Sequence, residues 1–160
     1  MSFRIRPLAA ADQAVLWELL HVALWDPPPA PLRPRVILEH PDVRIYAEAW
    51  GGKDDVGVVA ETGDGTVVGG TWMRIVGGER GLAYVDPFTP QLGIAVMPGY
   101  QRQGLGERLL RSALDAAKAH GFAQVSLTVH PENPAIALYE RAGFRKAGMR
   151  RTYHLMIAAL

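Results

Sequence analysis

Cysteine is absent from the chain. That excludes disulfides, thiolate metal sites and any covalent cysteine intermediate. Charge of one sign is not in excess either. Lys and Arg total 17 against 16 Asp and Glu, for a formal net charge of +1. No overall field therefore draws the protein to nucleic acid or an anionic membrane. No apolar run approaches the roughly 20 residues of a membrane span. The opening Met1-Ser2-Phe3-Arg4-Ile5-Arg6-Pro7 lacks the continuous apolar core of a secretion signal. The 5 histidines show no metal-ligand spacing. No nucleic acid, membrane or metal is expected as a partner, and the cytoplasm is the expected location.

What is present is a globular composition. Hydrophobic residues make up 49% and charged residues 21%, too apolar for a disordered chain. With 160 residues, no internal repeat and no long linker, one domain over 1–160 is expected.

Phe3 and Ile5 alternate with polar residues and suggest a first strand. Asp12 precedes Leu16, Leu19, Leu20 and Ala23 at helical spacing and is a plausible N-cap. Five prolines between Pro27 and Pro34 force a non-helical loop. Val36 to Trp50 reads as one or two short helices interrupted at Pro41. Val56 to Glu61 and Val67 to Val76 flank a Gly63-Asp64-Gly65 turn and predict an antiparallel hairpin. Gly77 to Pro90 is loop-like, and Leu92 to Val96 is a strand ended by Pro98-Gly99. Leu105 to Ala119 carries Leu105, Leu109, Leu110 and Ala113 on one helical face, with Gly121 as its stop. Gln124 to Val129 alternates as a strand. Asn133-Pro134 starts another helix, with Asn as cap and Pro in its first turn. Two strands complete the chain. The unit from Leu92 to Val129 is long enough for a parallel crossover. The expected fold class is α/β: a mixed, mostly antiparallel sheet with a central parallel strand pair and helices on both faces.

The segment Leu92 to Gly106 carries the chemistry. A strand ends, the chain turns, and a helix begins at Gln101-Arg102-Gln103-Gly104-Leu105-Gly106. A helix start presents unpaired N–H groups and the positive end of the macrodipole, which suits phosphate. Gly104 and Gly106 let an anion approach the backbone, Arg102 adds charge, and Gln103 adds a side-chain donor. Leu109 stands where a dinucleotide fingerprint needs its third glycine, and Gly52-Lys53-Asp54 lacks the Walker pattern.

Val96-x-Pro98-x-x-Gln101-x-x-Gly104-x-Gly106 resembles the acetyl-CoA motif of the GNAT family of N-acetyltransferases. Val129 to Phe144 resembles that family's later signature, a strand followed by Asn-x-x-Ala-x-x-Leu-Tyr-x-x-x-Gly-Phe. The element order resembles the family fold over nearly the full chain. The resemblance implies a splayed parallel strand pair, with a pantetheine arm along Ile94, Ala95 and Val96. It places pyrophosphate over Gln101, Arg102, Gln103, Gly104, Leu105 and Gly106. It makes Asn133 a cofactor contact and puts Tyr139, the catalytic candidate, near the CoA sulfur. The implied reaction is acetyl transfer from acetyl-CoA, as cosubstrate, to a primary amine by direct attack in a ternary complex. The amine belongs to a small molecule, a peptide or a protein, and a homodimer is compatible with the family. A non-catalytic CoA-binding sensor or structural module is the alternative.

The general base is the weak point of the resemblance. Gln91 stands where many family members have an acidic residue, and an amide cannot serve as that base. Asp86, Glu79, His130 and a water chain are the substitutes. Trp25, Trp50 and Trp72 are candidates to shape the acceptor pocket, with Trp72 more plausible as core.

Overall fold

The computed structural model describes residues 2–160. β1 (Arg4–Pro7) leads through a 3-10 turn, Ala10–Asp12, into α1 (Gln13–Ala23). A second 3-10 turn, Arg35–Glu39, precedes the short α2 (Pro41–Arg44). β2 (Val56–Glu61), β3 (Val67–Arg74) and β4 (Gln91–Val96) follow, then α3 (Leu105–His120) and β5 (Gln124–Val129). The chain continues with α4 (Ala135–Arg141), β6 (Arg145–Arg150) and β7 (Tyr153–Ala159). The strands make one seven-stranded sheet in the order β1-β2-β3-β4-β5-β7-β6. Every neighbouring pair is antiparallel except β4 with β5. The mixed sheet and its single parallel crossover agree with the order of elements in the sequence.

The helices pack on opposite faces. Leu105, Leu109, Leu110, Ala113 and Ala117 of α3 bury against Val58, Val68 and Val125. Leu16, Leu19 and Leu20 of α1 bury against Val59, Trp72 and Ala95. Alternation along β3 explains why consecutive glycines serve both faces. A β-carbon at Gly69 would stand 2.9 Å from Leu109 Cδ1, and one at Gly70 2.8 Å from Leu19 Cδ1. Side chains at either position would push a helix off the sheet.

Three local expectations change in detail. Asp12 does not cap α1 with its side chain. Its carboxylate instead takes two bonds from Arg6, both 2.9 Å, and one from the Ala9 N–H at 2.8 Å, and these hold a 3-10 turn ahead of the helix. β3 stops at Arg74 rather than Val76. The Arg74 guanidinium turns back to Asp55 and to the carbonyls of Ile45 and Glu48. The helix after Asn133-Pro134 begins at Ala135. Asn133 Oδ1 nevertheless accepts the Ala135 N–H at 2.9 Å, so the side chain still satisfies a first-turn donor.

Candidate active site

The site begins with a gap in the sheet. β4 pairs with β3 along its whole length, from Gln91 opposite Arg74 to Val96 opposite Gly69. Against β5 it makes one register pair, Gln91 opposite Ser126. The Met97 N–H bonds the Val68 carbonyl at 2.8 Å, which fixes the alternation of edges. Leu92, Ile94 and Val96 therefore direct their backbone groups toward β5. Past Leu92 that edge has no strand partner.

A cavity of about 450 Å³ occupies this gap. From the α1 side it is walled by Leu20, Leu24 and Trp72, and from the other by Leu127, Val129 and Tyr139. It thus passes through the sheet between the two cores. Tyr139 projects from α4, with its ring edge-on to Phe144 at 6.0 Å between centroids. It is 7% exposed, and no described residue hydrogen-bonds its hydroxyl. Burial pushes its pKa up to about 12, so the O–H stays protonated at neutral pH.

The turn after β4 has a separate geometry. Arg102 lies in the left-handed region at φ +62° and Gly104 at φ +76°. A β-carbon on Gly104 would meet nothing within 4 Å, so the backbone there is open. No described residue accepts a hydrogen bond from the backbone N–H groups of residues 101–107. They form a donor-rich concavity at the start of α3, the arrangement that suits an anion. The Gln101 side chain is engaged locally, its Nε2 donating to the Val96 carbonyl at 2.9 Å. The sequence-derived residues thus fall into two groups. Ile94, Asn133 and Tyr139 meet at the cavity. Gln101, Arg102, Gln103, Gly104, Leu105 and Gly106 stand beyond its lining, joined to it by Ala95 and Val96 of β4.

Gln91 is 1% exposed. Its Oε1 accepts the Tyr46 hydroxyl at 2.7 Å and its Nε2 donates to the Arg80 carbonyl at 2.8 Å. It ties the Gly77–Pro90 loop to the turn after α2. Asp86 accepts from the Phe88 N–H and the Thr89 hydroxyl, both 2.8 Å, and neither it nor Glu79 lines the cavity. His130 does line it. Its Nδ1 accepts the Glu132 N–H at 3.0 Å, so the neutral ring carries its proton on Nε2 and presents a donor. Trp25 lines the cavity, and Trp72 is both core and cavity wall. Trp50 is core, its Nε1 bonded to the Leu8 carbonyl at 3.2 Å.

Asp42, Tyr46, Arg33, Arg151 and Tyr153 also line the cavity, and the sequence does not single them out. They come from the proline-rich loop, α2 and the turn after it, the β6–β7 turn and the first residue of β7. Only the closing of these segments over β4 and β5 brings them together. Asp42 is the one carboxylate on the lining among the described residues, and its side chain is 69% exposed. Asp26, just behind, receives the Arg33 guanidinium through two bonds of 2.9 Å. That pairing holds its carboxyl below the usual range against the opposing effect of burial. No group of side chains suited to a metal ion occurs among the described residues, and no helix is long and apolar enough to cross a membrane.

A family model described as Acetyltransferase (GNAT) family matches residues 17–144. Mycothiol acetyltransferase of Beutenbergia cavernae is 32% identical over 132 residues, 76% of this chain and 42% of that protein. The [Ribosomal protein bS18]-alanine N-acetyltransferase of Escherichia coli is 50% identical over 62 residues, 38% of this chain and 42% of that protein. The chain thus spans about two-fifths of the length of these curated relatives. The crystal structure of PaiA N-acetyltransferase from Thermoplasma acidophilum in complex with coenzyme A superposes with a TM-score of 0.70. Coverage is 100% of both chains at 18% identity, a likeness of fold.

Proposed function

Because the chain belongs to the acetyltransferase (GNAT) family, we propose that it transfers an acetyl group from acetyl-CoA to a primary amine. The observation that carries this reading is the β4–β5 gap, with Tyr139 on its lining and no described residue bonded to the Tyr139 hydroxyl. The residues present fit the cosubstrate. Unpaired N–H groups over 101–107 suit a pyrophosphate. The backbone groups of Ile94 and the N–H of Val96 suit an amide-bearing arm laid along β4, while the Val96 carbonyl is taken by Gln101.

Acetyl-CoA, when bound, supplies an activated thioester whose carbonyl an amine attacks and whose sulfur departs as thiolate. The Val96 N–H, turned toward the gap, is a donor for a carbonyl oxygen placed there. The Tyr139 O–H is the donor for the sulfur. A hydroxyl with a pKa near 12 is a far weaker acid than a thiol of about 8.5. It therefore serves by donating a hydrogen bond rather than by releasing its proton outright. Asn133 orients the start of α4 and faces the same cavity.

The amine's proton leaves without a buried carboxylate. Gln91 is committed to Tyr46 and Arg80, and the His130 Nδ1 lone pair is taken by the Glu132 N–H. Water at the Asp42 mouth is the remaining route. The acceptor enters from the α1 side, between Trp25, Tyr46 and the β6–β7 turn. The cytoplasm is the compartment that this reading assigns.

Two measurements test the proposal together. Calorimetry should show acetyl-CoA binding, and a panel of primary amines should release CoA thiol in excess of hydrolysis. Binding without turnover by any amine would favour a CoA-dependent sensor instead. No binding at all would overturn both readings.

A further inference from the structure

The cavity wall formed by the proline-rich loop, the end of β5 and the β6–β7 turn is rich in side-chain donors and, among the described residues, carries no unpaired carboxylate. Tyr153 and His130 stand edge-on with ring centroids 6.0 Å apart, and Trp25 packs against the other side of His130 at 5.6 Å. The Tyr153 oxygen accepts from Arg33 Nη2 at 3.4 Å, which leaves its hydrogen to be donated. His130 presents Nε2–H, because Nδ1 is taken by the Glu132 N–H. The nearby carboxylate, Asp26, has both oxygens occupied by Arg33, so that pair is self-neutralised. His21 on α1 anchors the same loop through Nε2 to the Arg33 carbonyl at 2.6 Å. Arg151 lines the cavity from the turn at φ +55°. Among the described residues it has no ion pair and no side-chain hydrogen bond.

We propose that the acceptor is an amine that also carries a carboxylate, and that this carboxylate docks on Arg151, Tyr153 and His130. The cluster has the charge and the donors for a carboxylate, an acceptor-only group once ionised. The adjoining wall of Leu20, Ala23, Leu24 and Trp25 is apolar and matches a hydrophobic side chain. Polycationic amines fit poorly, because Asp42 is the one carboxylate on the lining. The substrate class is therefore a free α-amino acid with an apolar side chain. This assignment rests on the acceptor entering from the α1 side, as in the functional reading above.

The test compares acids with their amides. L-Leucine and L-phenylalanine, and the corresponding carboxamides, are titrated into the protein with CoA present, and Kd is read by calorimetry. CoA release from acetyl-CoA is followed in parallel. Each acid should bind roughly tenfold or more tightly than its amide, as loss of charge-assisted hydrogen bonds requires. Arg151→Gln and Tyr153→Phe should each weaken the acid, leave the amide unchanged and shrink the difference. Equal binding overturns the proposal. So does preference for the amide, the outcome expected of a peptide N-terminus. Failure of either acid to bind, or a preference that survives both substitutions, overturns it as well. The functional reading fails separately. An acid preference without CoA release would keep the carboxylate subsite and remove the catalytic role. If CoA itself does not bind, the acid-to-amide comparison is read on the protein alone.

Discussion

Tyr46 donates its hydroxyl to Gln91 Oε1 at 2.7 Å, and through that bond the turn after α2 is tied to the first residue of β4. Gln91 uses both ends of its amide, since Nε2 donates to the Arg80 carbonyl. Gln91→Glu restores the acid that the family pattern suggests, but loses that donor. A carboxylate there would face the Arg80 carbonyl in a site that is 1% exposed. Burial raises the folded-state pKa of such a group, so its penalty is small below the unfolded value of about 4.3 and grows as pH rises. We expect Gln91→Glu to cost about 1–3 kcal/mol at pH 7 and distinctly less at pH 4. Urea unfolding at the two pH values checks this. A cost that does not change with pH would remove the buried-carboxylate argument.

Tyr139→Phe isolates one hydroxyl. The ring stays packed on Phe144, and no described residue loses a hydrogen bond. We expect kcat to fall by at least about tenfold, the size of one lost hydrogen bond to a developing charge, with KM for acetyl-CoA and Tm little changed. No ionisation of Tyr139 should appear in the pH–rate profile below about pH 11, because its pKa is pushed up to about 12. Wild-type turnover in the variant would transfer the sulfur's donor to water or backbone.

The fold was legible because its signals are local. Leu105, Leu109, Ala113 and Ala117 repeat at helical spacing, and Gly121 ends that helix in the left-handed region at φ +103°. The residues that the resemblance assigns to the cofactor each lie on a continuous strand-turn-helix segment, so their local geometry was legible for the same reason. The rest of the cavity lining was not. Tyr46, Arg33, Arg151 and Tyr153 come from separate segments and converge only through long-range bonds such as Arg150 to the Leu82 and Tyr84 carbonyls at 3.1 and 2.6 Å. Asp12 misled for a related reason. Its sequence neighbours mark a cap, but Arg6 on the adjacent strand competes successfully for the carboxylate.

Gly104→Val tests the turn. The position has φ +76° and open space where a side chain would project. A β-branched residue is strained in the left-handed region, and its methyls would occupy the approach to the free N–H groups of 101–107. Acetyl-CoA affinity should fall at least about tenfold, with circular dichroism showing an intact fold. Gly104→Ala should fall between wild type and valine, since it carries the strain with less bulk. Undiminished affinity in a folded valine variant would rule out pyrophosphate at this turn.

Arg74 and Asp55 form the most enclosed ion pair near the second helix, 2.7 Å apart with side-chain exposures of 11% and 9%. Burial pushes the Asp55 carboxyl up. Hydrogen bonds from Arg74 and from the Gly52 and Gly51 N–H groups outweigh it and hold the carboxyl below its ordinary value of 3.8. A depressed folded-state pKa contributes stability above the unfolded value and loses it as pH falls through the folded one. Asp12, lowered chiefly by its bonds from Arg6, works in the same direction, so wild-type stability should decline below about pH 4. Arg74→Ala removes the guanidinium while the burial remains, along with the ion's demand for a partner. It also frees the Ile45 and Glu48 carbonyls and the contact over the Trp50 ring at 5.3 Å. Breaking a buried pair from one side costs about 3–5 kcal/mol. That deficit should be largest at neutral pH and smaller at pH 3.5, where protonation relieves the stranded carboxylate. Asp55→Asn should recover part of the loss in the Arg74→Ala background. Urea unfolding of the wild type, each single variant and the double variant at pH 7 and 3.5 measures this. If the deficit is equal at both pH values and the asparagine recovers nothing, packing over Trp50 rather than charge sets the cost.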